Sequence, residues 1–237
     1  MSLNRVLLLI LIIAATTSLP LLSHISRDIT ISPSLPEVVS QQILYQFGTL
    51  VLTGILLFTL SRVLGPQFRT YFAKGNLNAP VVAVPILGIK SKVGEGWNKV
   101  GRDFAIVISA VTGLIMYFQI LHDQERDLGA VLKFIPFILI ISISNSFVEE
   151  MISRLGLIVV LKDRLSDRQI SICSAALFGF VHYWGNPGGI SGVLAAAFLG
   201  WLLAKSILET KGIFWAWLIH FLQDFIIFTT LFLGAVD

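Results

Sequence analysis

Almost wholly apolar stretches recur along the chain, separated by shorter polar or charged segments. They fall at about 6–22, 43–61, 104–121, 131–161, 170–184, 190–207 and 213–233. Runs of roughly 20 apolar residues match the length a helix needs to cross a hydrocarbon core of about 30 Å. A crossing backbone must satisfy its own hydrogen bonds, so these unbroken runs predict helices. The expected architecture is therefore an all-α, polytopic transmembrane bundle of about seven spans. The first run follows Arg5 and competes with a cleaved signal peptide. It ends in AATTSLP without a clean small-x-small cleavage pattern, so a retained span is expected. No internal repeat or low-complexity linker divides the chain, and 1–237 reads as a single membrane domain.

Composition supports the same class. Hydrophobic residues make up 55% and charged residues 13%, with a mean hydropathy of +0.84; a soluble domain is nearer a quarter charged. The net charge of +3 is accounted for by basic loops and implies no nucleic-acid partner. Cys173 is the single cysteine, which excludes an intrachain disulfide and a cysteine zinc cluster.

The connection 62–103 holds Arg62, Arg69, Lys74, Lys90, Lys92, Lys99 and Arg102 against only Glu95 and Asp103. The excess of basic residues predicts a cytoplasmic loop. Alternation from an inward amino terminus puts every Lys/Arg-rich connection on that side. Within the loop, 79–89 is apolar but short and broken by Pro80 and Pro85, which suits an interfacial or re-entrant piece. Trp97 is expected as a membrane-surface anchor, Tyr183 and Trp184 as interfacial aromatics, and His24 and His122 as solvated outer-loop residues. Gly188, Gly192, Ala196 and Gly200 recur every four residues, a small-residue stripe expected to pack within the bundle.

Ionised groups inside lipid are costly and mark function by default. The second half carries Glu149, Glu150, Arg154, His182, His220 and Asp224 within its apolar runs. At 1.5 Å per residue, Glu149 lies roughly 20 Å from Lys162, His182 about 21 Å from Arg168, and Asp224 about 20 Å from Lys211. Three runs thus set polar groups at a common depth, measured from one face. Glu150 and Arg154 are i,i+4 neighbours and can pair, which leaves Glu149 without a local partner. His220 and Asp224 share the same spacing, so the carboxylate is expected to fix the imidazole tautomer. Phe178 is placed to cover His182. A carboxylate with two oriented imidazoles on separate helices is equipment for activating water, with or without a metal.

Glu149-Glu150-x-x-x-Arg154, Phe178-x-x-x-His182 and His220-x-x-x-Asp224, in that order, resemble the CAAX protease and bacteriocin-processing (CPBP, or Abi) family of intramembrane proteases. The likeness begins near residue 131, making 131–237 the expected catalytic core. The resemblance implies an endopeptidase with Glu149 as the general base for an attacking water. It implies His182 as a second acid/base or water ligand, and His220 and Asp224 as oxyanion stabilisers or metal ligands. Glu150 and Arg154 would be the ion pair that holds the site. Zinc is the candidate cofactor, with His182, His220 and Asp224 as candidate ligands, and a metal-free glutamate mechanism stands beside it. The final motif position is often Asn in CAAX-processing members and is Asp224 here. The implied partners are a peptide or membrane-protein substrate, prenylated or not, and the lipid bilayer. The implied location is the plasma membrane of a prokaryote or an organelle membrane. A proton-coupled transporter also needs intramembrane acids and histidines, and a catalytically silent scaffold would retain all of these residues.

Overall fold

A computed structural model of the chain describes residues 2–89, 94–122 and 128–235. Lys90 and Lys92 of the basic connection, and the acidic residues of the 123–127 loop, lie outside the described residues. The order is α1 (Leu3–Arg27), α2 (Glu37–Val63), α3 (Gly65–Tyr71), α4 (Trp97–Met116), α5 (Leu128–Leu132), α6 (Ile135–Glu149), α7 (Leu157–Leu161), α8 (Asp167–Val181), α9 (Gly189–Thr210) and α10 (Phe214–Ala235). A π-helical stretch, Glu150–Gly156, joins α6 to α7 in one continuous rod.

Among the described residues, six helices are long and apolar enough to cross a membrane, where seven spans were expected. The difference is the run at 170–184. Its helix, α8, has 15 residues, about 22 Å of rise against a core of about 30 Å. The helix ends because His182–Trp184 tightens into a 3-10 turn and Gly185 to Gly188 then reverses the chain. At its start, Ser166 and Gln169 form a reciprocal capping box.

The main core interlocks both halves of the chain. Leu8 and Ile12 of α1, Leu56 and Leu60 of α2, Ile152 and Leu155 of the π stretch, and Ile207 of α9 are buried together. Basic connections gather at one end of the bundle. Arg5 donates to the carbonyls of Val160 (3.1 Å) and Lys162 (2.9 Å) and to Gln67 Oε1 (2.9 Å). It thereby satisfies carbonyls that the end of α7 leaves open. At the same end the Asn76 amide donates to the Thr210 carbonyl at 2.8 Å, and the Ile213 amide to that of Ala73 at 2.9 Å.

Trp97 departs from its expected place at the membrane surface. It is fully buried with Ala79, Val81, Leu202 and Trp215. Its Nε1 donates to Glu209 Oε2 at 2.8 Å, and the Val82 amide donates to the same oxygen at 3.2 Å. An indole that meets a buried acceptor gains more from the interior than from the interface. The 79–89 piece accordingly lies folded over α9 and α10 with one 3-10 turn, Pro85–Leu87, and leaves Val82 and Ile86 exposed.

The small-residue stripe of α9 faces α8 and its terminal turn. Ser174 Oγ donates to the Gly200 carbonyl at 3.0 Å, and a Cβ at Gly200 would sit 3.0 Å from Phe178 Cβ. At Gly192 a Cβ would fall 1.9 Å from the Pro187 carbonyl oxygen and 3.0 Å from that of His182. Gly192→Ala is therefore expected to cost about 1–3 kcal/mol by overpacking. Thermal melting in detergent checks this, and a melting point equal to wild type would contradict the close approach.

Candidate active site

The polar residues come together because α6 carries them on one face. Ser142, Asn145, Ser146 and Glu149 recur at three- and four-residue steps, the spacing that aligns side chains along a helix. Beyond Glu149 the backbone widens into the π stretch, and Ser153 Oγ donates back to the Glu149 carbonyl at 2.6 Å. Wide turns of this kind are frequent at functional sites. The two adjacent acids diverge. Glu150 is fully buried, whereas the Glu149 side chain keeps 14% exposure and lines a cavity.

Three helices meet at Glu149. Its Oε2 lies 3.7 Å from His220 Nε2 and 4.0 Å from His182 Nε2. These separations are longer than direct hydrogen bonds and suit a bridging water. Both imidazoles are tied by the other nitrogen. His182 Nδ1 lies 2.8 Å from the Phe178 carbonyl oxygen, which can only accept, so Nδ1 carries the hydrogen. His220 Nδ1 lies 2.6 Å from Glu150 Oε1 and donates to that carboxylate. Neutral His182 therefore presents the lone pair of Nε2 towards Glu149, and His220 presents there a lone pair when neutral or an N–H when it carries a second proton. Asp224 had been expected to fix the His220 tautomer, but its Oδ1 is 3.6 Å from Nε2, too far to bond. Glu150 does so instead.

Glu150 Oε1 also accepts from Arg154 Nη1, and both side chains are fully buried. The guanidinium lies 3.8 Å from the centroid of the Phe178 ring, a cation–π contact that offsets part of its desolvation. The same ring is 4.1 Å from the His182 imidazole and meets His220 edge-on at 5.6 Å. Phe178 thus packs on the Arg154 guanidinium and on both imidazoles at once.

Three polar residues went unremarked in the sequence. Asn145 Nδ2 donates to Glu149 Oε1 at 3.1 Å and to Asp224 Oδ2 at 3.0 Å. Gln46 of α2 contacts Asn145 Oδ1 at 3.4 Å. Gln223 of α10 bonds Ser109 Oγ of α4 at 3.2 Å. An amide inside an apolar run, four residues before Glu149, was a readable signal for Asn145. Nothing in the sequence pairs Gln46 with α6.

A cavity of about 840 Å³ reaches this cluster. Glu149, His182, His220 and Asp224 all line it, and Val107, Val111, Leu199 and Phe228 add apolar wall. Arg27, Glu37 and Ala235 line it at the end of the bundle opposite the basic connections. Its size is that of a ligand-binding pocket. Two imidazole nitrogens and two carboxylates are donor types that zinc accepts. Among the described residues, however, no group of three or more His, Cys, Asp or Glu side chains has metal-holding geometry.

Residues 131–226 match the family described as Type II CAAX prenyl endopeptidase Rce1-like. Over this region the chain is similar to CAAX proteases. Glu149, Glu150, Arg154, His182, His220 and Asp224 all fall inside the matched segment, whereas Gln46 falls outside it. Neither the curated proteins nor the solved structures gave a match to the chain. At family level the CAAX protease is an intramembrane hydrolase of peptide or protein substrates, which favours proteolysis over transport. Its apolar helices make it a multi-pass membrane protein.

Proposed function

We propose that the protein hydrolyses peptide bonds with a water activated by Glu149, and that its substrate carries a prenylated C-terminal cysteine. One observation carries the reading. Glu149 Oε2 faces the Nε2 atoms of both His182 (4.0 Å) and His220 (3.7 Å) inside the cavity. A water held there gives one hydrogen to Glu149 and the other to the lone pair of His182 Nε2. Its oxygen attacks the scissile carbonyl carbon as Glu149 takes the proton. His220 enters the step already protonated at both nitrogens, its charge balanced by Glu150, and donates from Nε2 to the developing oxyanion. The C–N bond then breaks, and the proton held by Glu149 passes to the departing amine. The apolar wall of the cavity suits a lipid-modified chain end, since a CAAX cysteine carries a prenyl group.

The test uses the full chain in liposomes and a quenched-fluorescence peptide ending in a farnesylated cysteine and three further residues. Wild type is expected to cut it. His182→Ala and His220→Ala should each lose about 100-fold or more in turnover, and the double variant little beyond either, because the two rings serve one attack step. No cleavage by wild type would sink the reading, and equal cleavage of the unfarnesylated peptide would remove its lipid part. Turnover is expected to survive dialysis against a chelator. Loss on dialysis with recovery on adding zinc would overturn the metal-free route.

A further inference from the structure

Asn145 is the point at which the acids of two helices are joined. One side-chain amide nitrogen donates to Glu149 Oε1 on its own helix and to Asp224 Oδ2 on α10, at 3.1 and 3.0 Å. The amide has a single consistent orientation. Ionised carboxylates only accept, so turning it over would set Oδ1 against both acids. Gln46 Nε2 donates to Oδ1 at 3.4 Å, and Gln46 is oriented in turn by the Ser144 hydroxyl, which donates to its Oε1 at 2.5 Å. Hydrogens therefore run one way, from Ser144 to Gln46 to Asn145 to the two carboxylates. Gln46 and Asn145 are each 6% exposed, so water does not readily substitute for either amide.

We propose that Asn145 is a positioning residue for hydrolysis, oriented by Gln46 from the half of the chain outside the family match. Its amide occupies Glu149 Oε1, so that Oε2 is the oxygen left facing His182 and His220. It also ties Asp224 to the same frame and shields two like charges from each other. Loss of this bridge frees Glu149 to rotate away from the histidines. The proposal rests on Glu149 acting as the base. It predicts damage to the chemical step rather than to substrate binding.

Two variants test it. Asn145→Ala removes the bridge. Gln46→Glu is nearly isosteric, still accepts from Ser144, and places an acceptor against Asn145 Oδ1, which drives the amide to turn over. Each is expected to lower kcat on the farnesylated reporter roughly 10- to 100-fold, the scale of a hydrogen bond to a charged group, with KM little changed. A raised KM at unchanged kcat would overturn the proposal. A second readout needs no substrate: infrared spectra of the protein in lipid, with the carboxylate bands assigned by their loss in Glu149→Gln and Asp224→Asn. Both bands should shift in each test variant. Bands unmoved in a properly inserted variant would overturn the bridge, and if Asn145→Ala fails to insert, Gln46→Glu decides. A reporter left uncut by wild type counts against the proteolytic reading, whereas the infrared result bears on Asn145 alone.

Discussion

Glu149→Gln leaves a chain that inserts and folds but does not cut the reporter. The substitution keeps the shape of the side chain and an oxygen able to accept from Asn145, and it removes the one group placed to take a proton from water. General-base catalysis contributes about 10²- to 10⁴-fold, and the loss is expected at the upper end because His182 and His220 both serve the attack that Glu149 starts. Stability should change little. The Glu149 side chain borders the cavity, keeps 14% exposure and makes one close side-chain bond, to Asn145. Turnover measured beside thermal melting separates the two effects. Turnover within tenfold of wild type would remove Glu149 as the base.

Arg154→Met does its damage in the opposite order. Arg154 and Glu150 are fully buried partners, and removing the guanidinium leaves the Glu150 carboxylate with His220 alone in a medium that cannot solvate its charge. Breaking such a pair typically costs about 3–5 kcal/mol. A large drop in melting temperature is expected, with less protein recovered from the membrane. Replacing both, as Glu150→Leu with Arg154→Met, should restore much of the stability, because an apolar pair of similar volume carries no desolvation penalty. Turnover should stay low in that double variant, because His220 Nδ1 then has no carboxylate to hold it. Unchanged melting in Arg154→Met would contradict a structural role for the pair. Recovered turnover in the double variant would contradict the anchoring of His220.

The contrast between these variants reflects what was legible in the chain. Glu149, Glu150, Arg154, His182, His220 and Asp224 stood out because charge is rare in apolar runs, and counting along the helices placed Glu149, His182 and Asp224 at one depth. The structure brings Glu149, His182, His220 and Asp224 around one cavity and buries Glu150 and Arg154 behind them. The division of labour between the neighbouring acids was less legible. Helical spacing paired Glu150 with Arg154, but the further bond to His220 crosses 70 positions of sequence, and no local pattern encodes it. The π stretch Glu150–Gly156 has no signature in hydrophobic periodicity, since its residues are buried all round. Trp97 was misplaced for a related reason. A tryptophan beside lysines fits the membrane surface until a buried acceptor is known, and Glu209 lies 112 positions away. The run ending at Trp184 passed as a span because composition continued beyond the point where His182 ends the regular helix.

Single-turnover hydrolysis of the farnesylated reporter in water enriched in the heavy oxygen isotope tests the central claim most directly. If Glu149 activates water, the first turnover puts the heavy oxygen into the new carboxylate of the product, and Glu149 stays unlabelled. A first-turnover product without the label, together with heavy oxygen in the Glu149 side chain, would show attack by the carboxylate itself and contradict the account.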